Sequence, residues 1–154
     1  MKKIFISIFL YFSIFIYADQ VNIVADRFHA DDITKVAYFE GHAEIKQGSN
    51  IFSASKIVVH FDNKKKATRY EAHGSVKFDL TENGIHYKGS AETIRYSPNG
   101  SKYYFSGDVH LRDLTNNRKI DAETIELDLK TGLADIKGGK KKPVRFIFEI
   151  EDRK

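Results

Sequence analysis

Apolar and polar residues alternate with a period of two along most of this chain. Val21-Asn22-Ile23-Val24-Ala25, Ile57-Val58-Val59-His60-Phe61 and Val76-Lys77-Phe78-Asp79-Leu80 carry the pattern, as do Ile94-Arg95-Tyr96, Val109-His110-Leu111 and Ile125-Glu126-Leu127-Asp128-Leu129. That period belongs to half-buried β-strands. Turn-forming clusters separate the runs: Gln47-Gly48-Ser49-Asn50, Asp62-Asn63-Lys64, Glu82-Asn83-Gly84, Ser97-Pro98-Asn99-Gly100, Thr115-Asn116-Asn117 and Lys130-Thr131-Gly132. The Asn-Gly pairs at 83–84 and 99–100 suit the positive φ of tight hairpin turns. No stretch after residue 19 shows a sustained 3.6-residue apolar face with caps. The pattern predicts an all-β protein of a dozen or more short antiparallel strands. One parity is rich in Val, Ile, Leu, Phe and Tyr and the other in Lys, Asp, Glu, His and Arg, so one face is covered and one solvated. Two such faces stacked together make a long sandwich or an open jelly roll. The apolar parity then reads either as ordinary core or as a core held open as a groove.

Two phrases repeat and interleave. The first is a glycine between alternating residues, in Tyr38-Phe39-Glu40-Gly41-His42-Ala43, Glu71-Ala72-His73-Gly74-Ser75-Val76 and Tyr104-Phe105-Ser106-Gly107-Asp108-Val109, and more weakly in Ala134-Asp135-Ile136-Lys137-Gly138. These glycines are spaced by 33, 33 and 31 residues. The second phrase is Ala25-Asp26-Arg27-Phe28, Ala54-Ser55-Lys56-Ile57, Ala91-Glu92-Thr93-Ile94 and Ala122-Glu123-Thr124-Ile125. A fixed period of this size marks supersecondary units that bury their apolar faces by stacking, and it predicts an elongated scaffold.

The N-terminus follows another pattern. Lys2 and Lys3 precede an apolar run from Ile4 to Tyr17, broken only by Ser7 and Ser13, and Ala18 offers a small residue before Asp19-Gln20. This reads as a secretory signal peptide over residues 1–18, followed by a single domain over 19–154. Fourteen helical residues span roughly 21 Å, short of the ~30 Å hydrocarbon core. An uncleaved anchor is the alternative. Without Lys2 and Lys3, the 25 basic residues become 23 against 21 acidic ones, a net charge of +2. That balance argues against nucleic acid as a partner. The chain has no cysteine, so sheet pairing and apolar burial must hold the exported domain together.

The order of phrases carries a family resemblance. Gln20-Val21-Asn22-Ile23-Val24-Ala25-Asp26, Tyr38-Phe39-Glu40-Gly41 and Ala54-Ser55-Lys56-Ile57-Val58-Val59 resemble the start of LptA/OstA-type domains. Gly74-Ser75-Val76, Ala91-Glu92-Thr93-Ile94-Arg95-Tyr96 and Phe105-Ser106-Gly107-Asp108-Val109 continue the likeness. Each motif is weak alone; the ordered set behind a signal peptide is specific. The resemblance implies an elongated, twisted open β-jelly roll. It also implies a periplasmic bridge that takes lipopolysaccharide, held by its lipid A portion, from an inner-membrane export complex to an outer-membrane translocon. The alternatives are the related membrane-anchored component, a structural β-fibre subunit that binds no lipid, and a hydrolase of envelope material.

The physics of such a role is simple. Each exposed methylene costs about 0.8 kcal/mol, so a twelve-carbon chain left in water costs on the order of 10 kcal/mol. A continuous apolar groove removes that cost without any chemistry. No catalytic residue, cofactor or metal site is expected: the sequence holds no phosphate loop, no His-Glu-x-x-His and no nucleophile elbow. His29, His42, His60, His73, His86 and His110 fall on different elements, and Asp31-Asp32 reads as a turn. Lys64-Lys65-Lys66 and Lys140-Lys141-Lys142 read as solvated loops or as attractors of phosphorylated headgroups.

Matched positions in the resembled family put Val21, Ile23, Phe78, Ile94 and Tyr96 near acyl chains, and the Tyr96 hydroxyl suits a polar linkage. The run Val144-Arg145-Phe146-Ile147-Phe148-Glu149-Ile150 reads as the longest clean strand, with Val144, Phe146, Phe148 and Ile150 on one face. An unprotected final strand suggests a docking edge, pairing with the first strand of another copy, head to tail, or with an outer-membrane partner.

Overall fold

The alternating runs pair into one antiparallel sheet. A computed structural model describes residues 20–150; the candidate signal segment at 1–18 lies outside the described residues. The strands are β1 (Val21–Val24), β2 (Arg27–Asp31), β3 (Val36–Gln47), β4 (Asn50–Phe61), β5 (Ala67–Glu82), β6 (Ile85–Ser97), β7 (Lys102–Asp113), β8 (Arg118–Asp128), β9 (Leu133–Lys137) and β10 (Arg145–Phe148). The sheet runs β1-β3-β4-β5-β6-β7-β8-β10, with β2 also on β3 and β9 also on β8. Its path is open, as in a jelly roll that does not close. Among the described residues there are ten strands where the pattern predicts a dozen or more short ones, because β3 to β8 run on through their interruptions. The longest of them, β5, has 16 residues.

Those interruptions are the repeated phrases. Gly41, Gly74 and Gly107 have φ of 80°, 83° and 83°, and the residue after each, His42, Ser75 or Asp108, also has positive φ. Pairing shifts register there, between Glu40 and Ala43, His73 and Val76, and Ser106 and Val109. An extra residue bends a strand and increases its twist. The second phrase sits beside the first. A Cβ on Gly41 would lie 2.6 Å from Asp26 Oδ2, one on Gly74 would lie 2.8 Å from Ser55 Oγ, and one on Gly107 would collide with the Glu92 carboxylate. Each glycine thus makes room for the polar residue that follows an alanine, in the neighbouring strand for Gly74 and Gly107 and at the β1–β2 junction for Gly41. The 33-residue period is one up-and-down strand pair with its two turns.

The bulges line up as a crease, dividing the long strands into two half-sheets that face each other. Phe52 and Tyr103 stack at 6.2 Å and Phe78 meets Phe105 at 5.0 Å, although neither pair belongs to adjacent strands. Val59, Val76, Leu80, Phe105, Val109 and Ile125 are buried at this interface. The alanines of the second phrase, Ala54, Ala91 and Ala122, line the tight inside of the crease.

Two local expectations change. Positive φ at the 97–102 turn falls on Ser101, with Gly100 outside that region, whereas Asn83-Gly84 does adopt the left-handed pair. The final strand is shorter than its sequence suggests: β10 covers four residues, and Val144 and Ile150 fall outside it. The preceding segment, residues 138–144, leaves the crease as a loop closed by the Gly139 N–H donating to the Lys142 carbonyl at 2.9 Å. Lys140–Lys142 stand on this loop, and all three are exposed.

Candidate functional site

Between the half-sheets lies an apolar cleft with about 550 Å³ of empty space, part of it open to solvent. Ile45 of β3 and Phe52 of β4 form one wall; Tyr70 and Ala72 of β5, Ile94 and Tyr96 of β6 and Tyr103 of β7 form the other. The rings are ordered: Tyr96 stacks on Tyr103 at 4.4 Å and lies 6.2 Å from Tyr70. Burial pushes the Tyr70 and Tyr96 hydroxyls above their ordinary pKa, and it pushes Tyr103 far higher. These groups stay neutral at any physiological pH, which suits a wall facing hydrocarbon. A second cleft of about 530 Å³ continues past Tyr103 between Leu80, Tyr87, Leu127, Leu129 and Leu133.

The five groove positions expected from the sequence divide into three sets. Val21, Ile94 and Tyr96 line the first cleft. Ile23 packs half-buried against the core at the β1 edge. Phe78 lies beneath the cleft, 4% exposed, between Phe52 and Phe105. Replacing it with Asp therefore disturbs the core itself. Phe52, Tyr70 and Tyr103 escaped the sequence reading, although Tyr103 shares the inward parity of Phe105 in β7. Parity placed it on the right face, and only the opposing half-sheet makes that position a cleft wall.

At the edges the same inward parity lacks a cover. No residue of β1, β2, β9 or β10 is buried. Phe28 in β2 is 60% exposed, and Phe146 and Phe148 in β10 are 45% and 56% exposed. Val144 and Ile150 flank β10 and are also exposed. Each end of the sheet therefore shows inward-facing apolar side chains beside backbone groups that, among the described residues, have no strand on one side.

Histidines paired with acids sit on the outer face. His29 contacts Glu40, His42 contacts Asp26, His60 contacts Glu71, His86 contacts Asp79, and His110 contacts both Asp121 and Asp108. Hydrogen bonding to Asp26 raises the His42 pKa, and hydrogen bonding to Asp121 raises that of His110. Among the described residues no cluster of three or more His, Asp or Glu side chains is arranged to hold a metal ion. Lys64–Lys66 form an exposed loop organised by the Asp62 carboxylate, which accepts from the Lys64 and Lys66 N–H groups.

The described residues thus form an open β-sheet creased along its length, with a tyrosine-lined apolar interior. Residues 22–133 match the family described as LptA/(LptD N-terminal domain) LPS transport protein. This chain belongs to that family. No curated protein matches it. Among solved structures it is similar to LptH from Pseudomonas aeruginosa, described as the LptA homologous periplasmic component of the conserved lipopolysaccharide transport device. That likeness has a TM-score of 0.74 at 14% identity and covers 86% of this chain and 96% of LptH. At that identity it speaks for the fold.

Proposed function

We propose that this protein is a periplasmic bridge that holds lipopolysaccharide by its acyl chains in the creased sheet. It passes the lipid from an inner-membrane export complex towards an outer-membrane translocon. The observation carrying this reading is the apolar cleft lined by Phe52, Ile94, Tyr96 and Tyr103, in a chain that belongs to an LPS transport family. Acyl chains need such a surface to cross water, since each methylene left exposed costs about 0.8 kcal/mol. No bond is made or broken in the transfer, so the reading requires no catalytic group; direction must come from an energy-consuming partner.

The uncovered edges support the bridging part. An end-to-end contact between the β9–β10 edge of one copy and the β1–β2 edge of the next would pair free backbone groups and cover Phe28, Phe146 and Phe148. It would also make the interior continuous from copy to copy, and such a heterologous contact extends into a rod when its rotation does not close. The basic loop at Lys140–Lys142 lies beside this edge and suits an anionic partner surface or headgroup.

The test is photocrosslinking in cells, with a photoreactive aromatic residue in place of Tyr96 and, as control, in place of the outward-facing Tyr104. Lipopolysaccharide adducts at 96 and none at 104 are expected. Adducts at neither, in a protein that still associates end to end, would favour the structural fibre subunit. The membrane-anchored relative is distinguished by the intact mass of the exported protein, which would retain residues 1–18.

A further inference from the structure

The interior is lined mainly by apolar and aromatic side chains, and Glu82 is a carboxylate among them. Glu82 ends β5 at the inward parity of Val76, Phe78 and Leu80, at the junction of the two clefts. Its Oε1 accepts the Tyr103 hydroxyl at 3.1 Å and the Asn50 side-chain amide at 3.4 Å. Asn50 is itself oriented, because its Oδ1 accepts the Thr81 N–H at 2.8 Å. Among the described residues no donor reaches Oε2, and no cation pairs with Glu82. The other inward acid on this rim behaves differently. Asp113, 5% exposed, is neutralised by Arg118 and bonded by Asn116. The Glu82 charge is felt inside: after burial itself, it is the next cause raising the Tyr96 and Tyr103 hydroxyls.

A carboxylate beside hydrocarbon carries a desolvation cost unless a donor or a cation satisfies it. Glu82 has two supports on one oxygen, and its other oxygen remains free to accept. We propose that Glu82, held by Tyr103 and Asn50, is a specificity-determining residue of the cleft. It accepts a hydrogen bond from an amide or hydroxyl donor near the head of an acyl chain and keeps anionic lipid ends out. This rests on the lipid-carrying reading above and refines it. The ligand class is a hydroxyacylated amino sugar, whose amide N–H and chain hydroxyl lie where the chain meets the sugar. Repulsion by Glu82 then sets polarity: the chains run into the cleft, and phosphorylated ends stay at the solvent side.

The test compares two probes by titration calorimetry below their micelle concentrations: N-(3-hydroxymyristoyl)glucosamine, which has both donors and no charge, and myristate, which has the same chain length and an anionic end. A hydrogen bond to a charged group supports a preference of roughly tenfold for the amide lipid in the wild-type protein. Glu82→Gln keeps an acceptor for Tyr103 but removes the charge. It should bring the two affinities to within about threefold, by tightening myristate and weakening the amide lipid. Glu82→Asp keeps the charge and shortens the reach, so it should still exclude myristate while losing amide affinity; it carries the test if Glu82→Gln does not fold. An unchanged preference in folded Glu82→Gln, or retained amide affinity in Glu82→Asp, would overturn the role of Glu82. Equal binding of both probes by the wild type would do the same and leave the lipid-carrying reading standing. Binding of neither probe would remove both.

Discussion

Phe105 and Phe148 occupy equivalent places in the same alternation, and the sheet treats them in opposite ways. Phe105 in β7 has a strand on each side and the opposing half-sheet above it, and is fully buried. Phe148 in β10 has β8 on one side and, among the described residues, no strand on the other, and is 56% exposed. Their chemistry is alike; the difference is the number of layers the fold supplies. The central strands invest their inward residues in stability, whereas the edge strands leave theirs available for contact with something else.

The sharpest way to break that contrast is to truncate both rings. Phe105→Ala should destabilise the protein by about 3–5 kcal/mol, the range for a deleted core aromatic. Phe148→Ala should cost less than about 1 kcal/mol, because little burial is lost. Chemical denaturation of the two variants measures this, and equal losses would mean that the edge is covered as the centre is.

Asp113 provides the next largest effect. Burial works against its charged form, but the hydrogen bonds from Asn116 and Arg118 outweigh this and hold its carboxyl below the ordinary carboxylate range. Its contribution is therefore complete above the unfolded pKa near 4 and is lost as pH falls through the lower folded value. Asp113→Asn should cost about 1–3 kcal/mol at neutral pH by leaving Arg118 without its partner. Relative to wild type, the variant should lose less stability on acidification below pH 4, as followed by circular dichroism.

At the edge itself the expected effect falls on assembly. Phe148→Pro removes a backbone donor and disturbs pairing with Arg118, and it should abolish end-to-end association while the melting temperature stays within a few degrees of wild type. Unchanged association by analytical ultracentrifugation would exclude this edge as the interface. The smallest effect belongs to the lysine loops. Replacing Lys64–Lys66 or Lys140–Lys142 with Ser should weaken lipid or partner capture only at low salt, since screening at 0.15 M already limits their reach to about 8 Å. Salt-independent capture by both variants would leave these lysines a solubilising role.

The sequence by itself determined the all-β class, the inward parity and the positions of the bends. Alternation fixes which side of a strand each residue takes, and only glycine readily accepts the φ near 80° found at positions 41, 74 and 107. The repeated phrases were legible as a period, yet their meaning was not: that Gly74 lies against Ser55 and Gly107 against Glu92 follows from strand neighbours set by the register. The candidate site was legible only in part for the same reason. Ile94 and Tyr96 could be placed on the inner face, but a face becomes a cleft only where an opposing half-sheet approaches and stops short of full contact. Phe78 shares that parity and is core, because Phe52 and Phe105 close over it. In the sequence Glu82 reads as part of the Glu82-Asn83-Gly84 turn cluster. Tertiary structure alone brings Tyr103 and Asn50, 21 and 32 residues away, to one of its oxygens, because the strand register places Asn50 and the approach of the opposing half-sheet places Tyr103, and no local pattern encodes either.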